Sequence, residues 1–185
     1  YMKKALIEEN PECADYLAEL DFTGIAGEFY NDVPELKRAR YFEDNFTDVK
    51  WGGGNLKAFL HEIDWPYAYT INFDDGIEQS VPEGNTKFRI VLPYRGFRKP
   101  RSSVRLLYKL HGDAEYECRY YRNSDRTVDK NIIFSSDQYL QSITDEENRD
   151  MLNALKSDFS TRIVLFIGCS LQDEQDIRFV YNQCK

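Results

Sequence analysis

Three short segments of this 185-residue chain set polar side chains at the ends of apolar runs: Thr70-Ile71-Asn72-Phe73-Asp74, Lys109-Leu110-His111-Gly112-Asp113 and Ile167-Gly168-Cys169-Ser170-Leu171. The runs behind them, residues 67–71, 104–108 and 162–166, have the length and apolar character of strands. Ligands of open α/β sheets bind beyond such strand ends, so the three segments could build one site. Of the two histidines, His111 is the better base, because it follows a strand and Gly112 beside it permits close backbone approach. His61 falls in a helix expected to pack outside the sheet. Asn72, an amide between bulky Ile71 and Phe73, is either a buried group that fixes its loop or a hook for a ligand. Asp74 could accept from a ligand, yet Asp74-Asp75-Gly76 is also ordinary turn and helix-cap chemistry. Gly168-Cys169-Ser170 reads as a phosphate or ribose loop, with accessible backbone N–H groups and the Ser170 hydroxyl. Cys169 has no adjacent histidine or hydrolase signature and fits a small buried filler better than a nucleophile.

The elements that must carry these residues follow from periodicity. Residues 1–50 repeat apolar and aromatic positions at helical spacing (Leu6, Leu17, Leu20, Ile25, Phe29, Leu36), and Asn10-Pro11 and Val33-Pro34 divide them into several helices. Trp51-Gly52-Gly53-Gly54-Asn55 breaks the chain before a short amphipathic helix at 56–63 and the first strand. Residues 75–79 predict the start of a turn of helix, and 87–92 a strand beside the first. The polar stretch 113–131, with Tyr116, Tyr120 and Tyr121, predicts a loop or small hairpin. Ser135-Ser136-Asp137 and Thr144-Asp145-Glu146-Glu147 read as capped helix starts. Two helices then lead to a strand at Ile163, and another helix after Asp173 completes a strand-loop-helix unit. This βαβα order predicts a parallel sheet. Gly24-Ile25-Ala26-Gly27 and Gly52-Gly53-Gly54 lack the spacing of a dinucleotide fingerprint and are expected to be loops.

Composition sets the class. A content of 42% hydrophobic and 15% aromatic residues argues for one folded domain over 1–185, with a helical segment at 1–55 and an α/β core at 56–185. A net charge of −8 argues against a nucleic-acid surface. Only Arg95, Arg98, Lys99, Arg101 and Arg105 form a basic stretch, either a solvated loop or a phosphate contact. Cysteines 13, 118, 169 and 184 form no C-x-x-C pair, which suits free thiols in the cytoplasm and gives no zinc spacing. The apolar runs are far shorter than the roughly 20 residues that span a bilayer, so no membrane association is expected. The chain starts and ends in apparent helix, as a fragment of a longer protein would.

In order, T-x-N-F-D at 70–74, L-H-G-D at 110–113 and F-I-G-C-S-L at 166–171 resemble the SIR2 (sirtuin) superfamily, specifically its bacterial SIR2-like branch in antiphage defence proteins. Residues 132–140, Ile-Ile-Phe-Ser-Ser-Asp-Gln-Tyr-Leu, resemble the strand and helix start that follow the histidine in that branch, so the similarity covers about 56–183. The resemblance implies a Rossmann-like parallel sheet flanked by helices, and NAD as substrate. It implies catalytic roles for Asn72 and His111, and NAD contacts for Thr70, Asp74, Gly168 and Ser170. The family's opening Gly-Ala-Gly-x-Ser strand and loop does not occur in this sequence, nor does the four-cysteine zinc module of protein-deacylating sirtuins. The expected activity is therefore NAD hydrolysis without a metal, with deacylation last. The alternative is an NAD- or ADP-ribose-binding sensor or assembly module. Homo-oligomers, further domains and a phage-derived activator are the partners implied.

Overall fold

A computed structural model describes residues 1–50, 54–85, 87–94, 104–122, 132–168 and 175–184. The N-terminal part is helical: α1 (Met2–Glu9), a 3-10 turn at Pro11–Cys13, α2 (Ala14–Glu19), α3 (Phe22–Asp32) and α4 (Glu35–Phe46). Polar caps mark two of these starts, where the Asn10 side chain accepts from Glu12 N and the Asp21 side chain from Gly24 N at 2.8 Å. Gly24 and Gly27 lie inside α3, which corrects the expected loop. Burial of Ile25, Ala26 and Phe29 along one face of α3 outweighs the helix cost of two glycines, about 1 kcal/mol each.

Next come α5 (Asn55–Glu62), β1 (Tyr67–Thr70), α6 (Gly76–Gln79), β2 (Arg89–Val91) and β3 (Leu106–Lys109). The chain continues through α7 (Ala114–Arg122), α8 (Ser136–Thr144), α9 (Glu146–Thr161) and α10 (Gln175–Asn182). Among the described residues, three strands are parallel in the order β1-β3-β2 and flanked by helices, which is the expected Rossmann-like α/β class. β2 thus sits against β3 and not beside β1. β3 is buried at all four positions, as the central strand of a parallel sheet covered on both faces must be.

Among the described residues, a small cluster of Tyr94, Ile133 and Tyr139 accompanies two large apolar cores. In one, Phe29, Tyr41 and Phe42 of the N-terminal helices meet Ala114 and Cys118 of α7 and Phe134, and Phe73 joins them. In the other, Val91, Leu106, Tyr108 and Leu110 pack against Met151, Leu152 and Leu155 of α9 and Ile177 and Val180 of α10, with Ile71 at its edge.

Residues 114–122 form a helix where a loop or hairpin was expected. Asp113 Oδ1 accepts from Tyr116 N at 3.1 Å at its start, and Cys118 seats the helix on Ala39 of α4. Residues 163–167, expected as a strand, have no regular secondary structure and join no described strand. Ile163, Leu165, Phe166 and Ile167 are exposed, and Phe166 leans on Phe159 with ring centroids 5.9 Å apart. A β-prone run becomes a strand only when a neighbour satisfies its N–H and C=O groups, and none is described here. Of the basic stretch, residues 95–103 lie outside the described residues. Arg105 is buried, 4.1 Å above the Phe88 ring, and donates to Leu60 O at 2.7 Å, so it fastens α5 to the sheet.

Candidate functional site

The first two sequence segments leave adjacent parallel strands side by side. Thr70 and Lys109 are register partners at the ends of β1 and β3. Beyond them, Leu110 N donates to Thr70 O at 2.9 Å and Ala114 N to Phe73 O at 2.9 Å, so the two turns stay joined past the sheet.

The first turn is shaped by packing on both sides. Ile71 belongs to the sheet core and Phe73 to the helical core, which leaves Asn72 between them, exposed. The backbone N–H of Asn72 donates to Thr70 Oγ1 at 3.1 Å, whereas its side-chain amide has no hydrogen-bond partner among the described residues. This resolves the alternatives for Asn72 against a buried loop-fixing group. Asp74 Oδ1 accepts from Gly76 N at 2.8 Å and steers the chain into α6, so one of its oxygens serves the turn.

The second turn holds His111, 2% exposed. Its carbonyl accepts from Ile133 N at 3.0 Å, its ring meets Tyr139 edge-on, and its Nδ1 lies 3.4 Å from the Tyr139 hydroxyl. Gly112 follows with φ of 91°, a conformation that L side chains adopt only under strain. Tyr139 reaches His111 because a capping box starts α8: Ser135 Oγ accepts from Gln138 N, and Gln138 Oε1 accepts from Ser135 N at 2.9 Å.

Between the two turns lies Lys109, fully buried. Its Nζ donates to Asp113 Oδ2 and Asp74 O, each at 2.6 Å, to Glu78 Oε1 at 2.9 Å and to Phe73 O at 3.3 Å. Burial opposes the ammonium charge, but Asp113 and Glu78 outweigh it and hold the Lys109 pKa above its ordinary value. Burial raises the Glu78 pKa despite the pull of Lys109. The sequence assigned no role to Lys109; the available signal was a lone cation at the end of Leu106-Leu107-Tyr108, where a strand buried on both faces demands a partner.

The third segment is not brought to these turns by the sheet. Gly168 is exposed with φ of 64° and open space around its Cα, and Cys169 and Ser170 lie outside the described residues. His61 is a packed residue of α5, its Nε2 2.7 Å from Ser80 Oγ. Among the described residues, no group of three or more His, Cys, Asp or Glu side chains could hold a metal, and no helix is long and apolar enough to cross a membrane.

Two joined turns at parallel strand ends, one with an outward amide and one with an imidazole, fit the order of motifs in the sequence. The profile of the SIR2-like domain matches residues 66–185, more than half of the chain. The protein belongs to the SIR2-like family. A search of curated proteins found no match. The SIR2-like match covers β1, β3 and both turns, and it suggests NAD-related activity; α1 to α5 lie ahead of it.

Proposed function

We infer that this SIR2-like protein hydrolyses NAD at the nicotinamide N-glycosidic bond. The observation that carries the reading is the joining of the Asn72 and His111 turns, with the Asn72 amide exposed and unpartnered among the described residues. Departure of nicotinamide leaves an oxocarbenium-like centre at the ribose C1, so a site needs groups that orient the ribose and deliver water. Asn72 would orient ribose and water, and Asp74 would hold the nicotinamide carboxamide through its second oxygen. His111 would take the proton of the water that bonds to C1, giving ADP-ribose and nicotinamide. Thr70 would shape the turn beneath the ribose, and Gly168 and Ser170 would meet the adenosine side. The resemblance to bacterial antiphage proteins supports NAD depletion in the cytoplasm as the outcome. It also supports a homo-oligomer or larger protein as the assembly, and a phage-derived component as the activator.

Nicotinamide release from NAD tests this directly. His111→Ala should lose about 10²- to 10⁴-fold in rate, the usual share of a general base, while remaining folded. Asn72→Ala should also cut turnover. An unaltered rate in His111→Ala would remove that residue from the chemistry. The burial of His111 favours a second reading, a module that binds NAD or ADP-ribose without cleavage. Saturable binding with no nicotinamide released by the wild type would select it. Turnover of an acyl-lysine peptide in place of NAD would select deacylation.

A further inference from the structure

We propose that Lys109 is the positioning residue of this site, the cation that holds the Asn72 turn and the His111 turn in fixed relation. The inference rests on the hydrolase reading for its activity and on geometry alone for its structural part. Lys109 has three N–H donors and faces four oxygens, so the longest contact, 3.3 Å to Phe73 O, shares a donor with another. Two of those oxygens are backbone carbonyls one and two residues past Asn72. A third belongs to Asp113, two residues past His111. The fourth belongs to Glu78 and brings α6 to the same ammonium. Each of these four hydrogen bonds is therefore with an element that leads into or out of a candidate site residue.

The flanking backbone bonds Leu110 N to Thr70 O and Ala114 N to Phe73 O run in parallel with the ammonium. Asp113 adds a further constraint, because its other oxygen accepts from Tyr116 N at the start of α7. A shift of the Lys109 ammonium would thus move the carbonyls behind Asn72 and the carboxylate behind His111 at once. A fully buried ammonium bonded, among the described residues, to these four oxygens is expensive to leave unpaired, which makes the arrangement close to all-or-none. Lys109 touches neither ribose nor water in this scheme and acts through the turns.

The test uses Lys109→Met and, should that variant fail to fold, Asp113→Asn, which keeps an oxygen for Tyr116 N. Nicotinamide release per folded molecule and native-state hydrogen exchange are read on the same samples. The expected result is a kcat lower by about 10-fold or more with KM within about 3-fold, as for an interaction that matters in the transition state. The Ala114 amide, which donates to Phe73 O, should lose at least about 10-fold more protection than the amides inside β3. A merely structural lysine would lower the melting temperature and protection evenly, with kcat per folded molecule unchanged, and that result would overturn the proposal. Should the wild type release no nicotinamide, the hydrolase reading falls, and the exchange comparison still decides whether Lys109 locks the two turns.

Discussion

His111 can act as a base only through a nitrogen that carries a lone pair, and its partner decides which nitrogen that is. The Nδ1 of His111 lies 3.4 Å from the Tyr139 hydroxyl, and the tautomer in which Nδ1–H donates to that oxygen is the one that carries its lone pair on Nε2. The 3.4 Å separation is long for such a bond, as catalytic hydrogen bonds often are before substrate tightens them. Tyr139→Phe keeps the edge-on ring contact and removes only the hydroxyl, so kcat should fall by roughly 10-fold, a minor part of a base's contribution, with KM little altered. Steady-state nicotinamide release measures both constants, and an unchanged kcat would detach Tyr139 from the chemistry. Asn72 and His111 were legible as candidates because polar residues after apolar runs are conspicuous. Lys109 was not, because a single cation in a strand signals its burial only once the neighbours on both faces are known.

At the scale of elements, the capping box at Ser135 is the feature most directly tied to the site, since it fixes the first turn of the helix that bears Tyr139. Ser135→Ala removes the acceptor for Gln138 N and should cost about 1 kcal/mol in urea-induced unfolding. A loss near zero would mean that α8 is held by tertiary packing alone. This helix start was plain in the sequence, as were β1, β3 and α10, because caps and short apolar runs are local signals. The order of strands was not local: β3 lies between β1 and β2 although it comes last in the chain. The run 163–167 shows the same limit from the other side, with strand-like residues and no described partner. α7 was hidden because its sequence is mostly polar, and the burial of Ala114, Glu117, Cys118 and Tyr120 makes sense only once α4 and the neighbouring tyrosines are in place.

Across the whole molecule, the two cores meet at the 70–74 turn, where Ile71 faces one and Phe73 the other, and the ions around Lys109 sit at that seam. One ammonium there faces two carboxylates, so the cluster holds more negative charge than positive when both are ionised. Global stability should register this excess through Glu78, whose burial lifts its pKa above the ordinary 4.5 in the folded state. A carboxyl raised on folding contributes stability fully below its unfolded value, and the contribution disappears as pH rises through the folded value. Glu78→Gln stays neutral at every pH and keeps an oxygen for Lys109. The melting temperature of Glu78→Gln minus that of the wild type should therefore grow as pH rises from about 4 to 7. A difference that shrinks over that range would mean that the pull of Lys109 on Glu78 exceeds the cost of burying its charge, and that the second carboxylate strengthens the seam.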